Sequence, residues 1–306
     1  MDLFPDLPGA QGPPEPLSRE PGPIRFGTSS FSNRDWVGPF YPPGTQPRDF
    51  LRAYARRYDT VEIDATYYGV PAPGTAARWA RAVPEGFLVA AKFPREIVHG
   101  GAGPVPDPGL VLDPDETYAI RDAFLDAMAL LGAKLGPLLL QFPYFPKAIF
   151  PSAGPFLAKL DRFLRDLPPG PRVVVEIRNR AWLTPRFTRL LAERGAALAL
   201  TDHVRMPHAD ELDPGLDPVT AGFAYVRLLG DHREMDRITS VWNREVVDRS
   251  PRLRRWAEVL VSLLERNVPA LVYVNNHYAG YAPGTLDRLR TLIREAMEDN
   301  DPKPRF

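Results

Sequence analysis

Val173-Val174-Val175-Glu176-Ile177-Arg178-Asn179 reads as a strand that carries two charges. Three valines in succession favour a buried extended segment. Glu176 and Arg178 then place ionised groups where the chain is otherwise dry, and charged side chains are buried only when paired or used. In a strand, alternate residues face opposite sides. Val173, Val175 and Ile177 therefore share one face, and Val174, Glu176 and Arg178 share the other. If the strand belongs to a barrel, one set faces the helices and the other faces the interior, with the charges near the carboxyl end.

The rest of the chain supplies the barrel. Short apolar runs recur as IRFGT from residue 24, VEID from 61, FLVAAKF from 87 and PLLLQF from 137. VVVEI from 173, AALAL from 196, FAYVRLL from 223 and ALVYVN from 270 complete eight. Helical stripes lie between most of them: Ile120, Phe124, Ala127 and Leu131; Phe156, Leu157, Leu160, Phe163, Leu164 and Leu167; Leu253, Trp256, Leu260, Leu263 and Leu264. Leu286, Leu289 and Ile293 follow the last strand. Eight strand–helix repeats predict an α/β fold, a single-domain (β/α)8 TIM barrel over residues 23–298. Residues 203–222 show no stripe, so the sixth helix is expected to be irregular or missing.

The flanks read differently. Residues 1–22 are rich in Pro and Gly and are expected to be a disordered extension, and residues 299–306 a flexible tail. The start has neither the basic nor the long apolar region of a signal peptide, and no run approaches the roughly 20 apolar residues of a membrane span. The chain has no cysteine, which excludes thiol catalysis, thiolate metal sites and disulfides and fits a cytoplasmic location. Lys and Arg together number 38, as do Asp and Glu, so bulk charge gives no attraction to nucleic acid or membrane.

The alternation test repeats along the barrel. Glu62 and Asp64 end the inward face of the second strand, Lys92 the third and Gln141 the fourth. Glu176 and Arg178 end the fifth, Asp202 the sixth, Arg227 the seventh, and Asn275 with His277 the eighth. One such residue is explained by a structural ion pair. Seven strands in step predict a polar ring at the carboxyl-end mouth, where barrels of this kind place their sites. Lys92 stands apart because this chain otherwise favours Arg, and a strand-end Lys offers a compact ammonium. The loop FSNRDWVGPFYPPG after the first strand brings Phe31, Trp36, Phe40 and Tyr41 toward the mouth, as a stacking surface or as a hydrophobic plug. The loop HGGAGPVPDPG, 99–109, reads as a lid or as an ordinary surface loop. Pro283 and Gly284 mark a helix start that His277 is placed either to cap or to join in binding an anion.

These motifs together resemble a known family. GTSSFSNRDWVGPFYPPG, TVEIDATYYGVP, AAKFPREIVHG, LLLQFPYF, VVVEIRNRAWL, AYVRLLG and VYVNNHYAGYAP are similar to those of the YecE-like family, domain of unknown function 72, over about residues 24–297. The resemblance implies a barrel akin to the endonuclease IV and xylose isomerase type. It also marks Glu62, Lys92, His99, Gln141, Glu176, Arg178, Asp202, Arg227, Asn275, Asn276 and His277 as motif positions, and implies no reaction. The chain departs from the family pattern at Ser30-Phe31, where Gly-Trp is common, and at Leu228-Leu229-Gly230, where an aromatic and a His often precede the Gly.

The ring's chemistry suggests three functions. The first is an acid/base enzyme acting on an anionic, phosphate- or carboxylate-bearing small molecule. Glu62, Glu176, Asp202 and Lys92 would be catalytic, with Arg178, Arg227, Gln141, Asn275, Asn276, His277, His99 and Trp36 binding the substrate. The second is a metal-dependent phosphodiester hydrolase or nucleic-acid binder, with Glu62, Glu176, Asp202 and His277 around a divalent ion and His99 or His232 nearby. The third is a ligand-binding protein without catalysis. A glycosidase reading lacks a carboxylate pair on strands four and seven, which end in Gln141 and Arg227. No Walker A or dinucleotide fingerprint is present.

Overall fold

A computed structural model describes residues 23–101 and 103–300. The expected extension, 1–22, lies outside the described residues, as does the tail beyond residue 300. Eight parallel strands form one sheet: β1 Ile24–Thr28, β2 Thr60–Ile63, β3 Leu88–Lys92, β4 Leu135–Gln141, β5 Val173–Glu176, β6 Ala197–His203, β7 Ala224–Gly230 and β8 Ala270–Val274. Each strand is hydrogen-bonded to its neighbour in chain order from β2 to β8, and β8 pairs with β1. This is the (β/α)8 TIM barrel that the pattern predicts.

The helices cover the outside in the expected places. They are α1 Phe50–Tyr54, α2 Thr75–Ala82, α3 Pro114–Ala129, α4 Ala153–Arg165, α5 Pro185–Glu193, α6 His232–Ile238, α7 Ser250–Glu265 and α8 Ala282–Asn300. Between β6 and β7 there is only a single 3-10 turn, Ala209–Glu211, so the sixth helix of the barrel is missing as expected. The helix α8 continues to Asn300, two residues into the segment expected to be tail. No helix among the described residues is long and apolar enough to cross a membrane.

The alternation in β5 divides the core. Val173, Val175 and Ile177 pack with the helix layer, while Val174 joins Ala90, Leu139, Ala199, Tyr225 and Tyr273 inside the barrel. Interior layers of this kind make the barrel a packed core rather than a pore.

Side chains close the remaining gap, between β1 and β2. The Tyr54 hydroxyl accepts from Thr28 N at 2.7 Å and donates to Thr60 O at 3.1 Å. Asp59 Oδ1 accepts from Phe26 N at 2.9 Å. The two strands approach so closely at Gly27 that a Cβ there would lie 2.2 Å from Thr60 O.

Candidate functional site

Arg227 is the centre of the mouth. It projects inward from β7 with its guanidinium only 1% exposed. Nε donates to Glu62 Oε2 at 2.9 Å and Nη2 to Glu62 Oε1 at 2.6 Å, a two-pronged grip on the β2 carboxylate. Nη1 turns to the other side of the barrel and donates to Glu176 Oε2 at 2.5 Å and to Gln141 Oε1 at 2.9 Å. The Tyr225 hydroxyl adds a bond to Glu62 Oε2 at 2.7 Å. One guanidinium thus spans the bore and joins β2, β4, β5 and β7.

Two further cations flank this bridge. Arg178 Nη2 pairs with Glu176 Oε1. Lys92 Nζ lies 2.5 Å from Asp64 Oδ1 and 4.0 Å from Glu62 Oε1. Glu62 and Glu176 are fully buried, whereas the Asp64 side chain is 34% exposed. The sequence's ring therefore has two depths: a dry floor of Glu62, Arg227 and Glu176, with half-buried Gln141 beside it, and a rim of Asp64, Lys92 and Arg178.

The depths differ in proton affinity. Burial alone would raise both floor carboxyls. At Glu62 the charges of Arg227 and Lys92 overcome it and hold the group below its usual range. At Glu176 Arg178 and Arg227 do the same and bring it down to about 2. Both are locked as carboxylates with their lone pairs engaged, a poor state for a general base. Asp64 goes the other way: burial raises it more than Lys92 lowers it. Of the carboxylates in the ring, Glu62 and Glu176, both expected to be catalytic, are held ionised, and Asp64 is the one held above its ordinary range.

Asp202 is a second correction. It was expected to point inward in step with Leu198 and Leu200. Instead Ala197 and Ala199 line the bore and Leu198 and Leu200 face the helices. Asp202 shares the face of the leucines and is turned away from the bore with them. Its carboxylate is bound by Arg252 Nε at 2.6 and 2.8 Å, by Trp256 Nε1 at 2.8 Å and by the Tyr278 hydroxyl at 3.0 Å. Asp202 anchors α7 and the β8 loop to β6; it is not part of the ring.

The residues of the β1 and β8 loops build an adjoining pocket of about 260 Å³. Trp36, Asn275, Asn276, His277 and Asp64 contribute to its wall. Asn275 Oδ1 accepts from His277 N at 3.0 Å and stands 2.8 Å from His277 Nδ1. Asn276 Oδ1 accepts from Ala282 N at 3.0 Å and so caps α8. His277, considered for that cap, instead meets Asp236 Oδ1 through Nε2 at 3.1 Å and stacks on His232 at 3.8 Å between ring centroids. Of the aromatics expected near the mouth, Trp36 alone reaches this pocket. Phe40 stacks on Tyr58 and Tyr41 on Phe50, the plug alternative.

His99 is buried in the π-helical turn Glu96–Gly100 after β3, where burial and Arg95 lower its pKa. The candidate lid returns to this same turn. Asp107 N donates to His99 O at 3.2 Å and Leu112 N to Ile97 O at 3.0 Å, and Val111 and Leu112 are buried.

Two contributors were missed. Ser29 extends the inward face of β1, beyond Gly27, which pairs with Tyr273. Small hydroxyl residues in TSSFS gave no charge signal to detect. His203 ends β6 at a register shift between Asp202 and His203. Burial and then Arg178 lower its pKa to about 4. His232 is likewise lowered to about 4 by burial, with His277, Arg178 and Lys92 adding to it. Both histidines are neutral beside the cationic rim at neutral pH.

The expected metal ligands do not assemble. Glu62 and Glu176 are spent on Arg227, Asp202 faces the helices, and no group of three or more His, Asp or Glu among the described residues could hold a metal ion.

A family model described as "Protein of unknown function DUF72" matches residues 25–305. The UPF0759 protein YunF of Bacillus subtilis (strain 168) is 26% identical over 166 residues, 54% of this chain and 54% of that one. The UPF0759 protein YecE of Escherichia coli (strain K12) is 30% identical over 172 residues, 53% of this chain and 57% of that one. The chain thus spans about half the length of the curated relatives it matches. A crystal structure of a DUF72 family protein from Thermotoga maritima MSB8 superposes with a TM-score of 0.64 at 23% identity, over 90% of this chain and 99% of that one. Another, from Enterococcus faecalis V583, gives 0.61 at 21% identity, over 89% and 95%.

Proposed function

We propose, for a chain that belongs to the DUF72 family of proteins of unknown function, an acid/base enzyme that acts on an anionic small molecule at the barrel mouth. One observation carries the reading: above a floor whose two carboxylates are held by Arg227, with Arg178 and Lys92 beside them, the rim keeps unspent capacity. Asp64 is partly exposed and held by burial above its ordinary pKa. Arg178 has Nη1 buried with no partner among the described residues. An unpartnered buried guanidinium N–H is costly, and a phosphate or carboxylate oxygen would satisfy it.

In this reading Asp64 moves the proton. Lys92 and Arg178 hold the anion and stabilise charge that develops on it. Glu62, Arg227, Glu176 and Gln141 set the positions of those two cations and touch no substrate. The metal-dependent reading loses its ligand set, and no step is routed through a metal.

The test is a screen of phosphorylated and carboxylated metabolites by thermal shift, followed by turnover assays on the hits. Arg178→Gln and Lys92→Met should each weaken binding by tenfold or more. Asp64→Asn should keep binding within a fewfold and lower kcat by 10²-fold or more, the usual scale of acid/base catalysis. Binding without turnover in the wild type would point to the non-catalytic alternative. Hits indifferent to Arg178→Gln and Lys92→Met would refute the anion site.

A further inference from the structure

The pocket beside the charged rim has a different chemistry. Its wall includes Ser29, Ser32, Asn33, Trp36, Asn275 and Asp64, and no Lys or Arg. An anion offers only acceptors and calls for donors with positive charge. Here the groups are hydroxyls, amides and the His277 imidazole, which offer both donors and acceptors, with one carboxylate. That mixture matches a ligand whose groups also do both, which is the property of sugar hydroxyls.

Two wall atoms are incomplete as they stand. Ser29 Oγ and Trp36 Nε1 are buried and have no partner among the described residues, on side chains 3% and 1% exposed. Buried polar groups are almost always satisfied, and those that are not ask for a missing partner. Trp242 also lines the pocket, half-buried, and packs on His277 at 4.5 Å between centroids. Its backbone N–H donates to Asp35 Oδ2 at 2.9 Å, which ties it to the β1 loop. An indole there offers an apolar surface to the C–H face of a ring. The volume, about 260 Å³, sits just under the usual range of roughly 300–1,000 Å³ for ligand pockets and suits one ring.

Asp64 belongs to both places: it lines this pocket and pairs with Lys92 at 2.5 Å. We infer that the pocket is a subsite for a monosaccharide ring, and that the substrate is a sugar carrying an anionic group, a sugar phosphate or sugar acid, with its ring against Ser29, Trp36 and Trp242 and its anion toward Lys92 and Arg178. The inference rests on the mouth being the anion site proposed above, and adds the substrate class.

Calorimetry separates the two ideas. The probes are ribose 5-phosphate, glucose 6-phosphate and glucuronate, set against ribose, glucose and orthophosphate. At least one anionic sugar should bind tenfold or more tighter than orthophosphate. Ser29→Ala and Trp242→Ala should each weaken that sugar by tenfold while leaving orthophosphate binding and the melting temperature unchanged. If orthophosphate and the anionic sugars bind alike and both variants are indifferent, the sugar subsite is wrong and the anion reading survives. If uncharged sugars bind as tightly as anionic ones and Arg178→Gln changes nothing, the ring subsite is supported and the anion reading falls. If none of the six binds, both are overturned.

Discussion

Arg227 is held by two carboxylates, an amide oxygen and the packing of the bore, and so its loss exposes more than its own contacts. Replacing it by Met leaves Glu62 and Glu176 buried together without their shared counter-charge. Breaking a buried pair from one side typically costs about 3–5 kcal/mol. Arg227→Met should lose at least that much in urea unfolding, and Glu62→Gln in the same background should recover part of it, because the uncompensated charge goes with it. The alternation rule located Glu62, Lys92, Glu176 and Arg227 from sequence because each is charged and each ends an apolar run. It failed at Asp202, whose strand turns Ala197 and Ala199 to the bore and its leucines to the helices. Which face meets the bore is a three-dimensional property that no single strand records. Nor could strand parity predict that Glu176 would be saturated and Asp64 left available, since that depends on who reaches whom across the barrel.

At the scale of elements, the β1–β2 seam is the place where side chains do the work of a ladder. Tyr54→Phe removes the acceptor of Thr28 N and the donor to Thr60 O. Leaving a buried amide unpaired costs about 1–3 kcal/mol, and the melting temperature should fall accordingly. Gly27→Ala sets a methyl against Thr60 O, a backbone atom that cannot move aside, and should cost about 3 kcal/mol or more. Strand and helix positions were legible because their periodicities are local, and so was the missing helix after β6. The seam was not legible: nothing in YARRYDT announces that Tyr54 and Asp59 will serve a strand some thirty residues earlier. The bulge that ends β6 at His203 was hidden for a similar reason, since a register shift is a property of two strands.

For the molecule as a whole, the dry floor sets the response to acid. Glu176 has its folded pKa depressed to about 2, against an unfolded carboxylate near ~4.3. The stability it contributes is therefore complete above the unfolded value and is lost as pH falls toward about 2. Glu62 is depressed in the same direction. Stability should decline steeply between roughly pH 5 and pH 2. Glu176→Gln should be less stable at pH 7 and flatter across that window. A slope equal to the wild type's would show that other groups govern acid unfolding.

The closure of the barrel also has a consequence in time. Among the described residues β1 has its only ladder with β8, and Ile24 meets Ala270 across it. On a ribosome adding 5–20 residues per second, the first strand waits roughly 12–50 s for its partner to be made. Until then side-chain bonds through Arg25, Tyr54 and Asp59 fasten it to the growing sheet. A chain stopped before Ala270 should release that strand, and the cylinder with it, which makes the last strand synthesised the one that decides whether the first has a place.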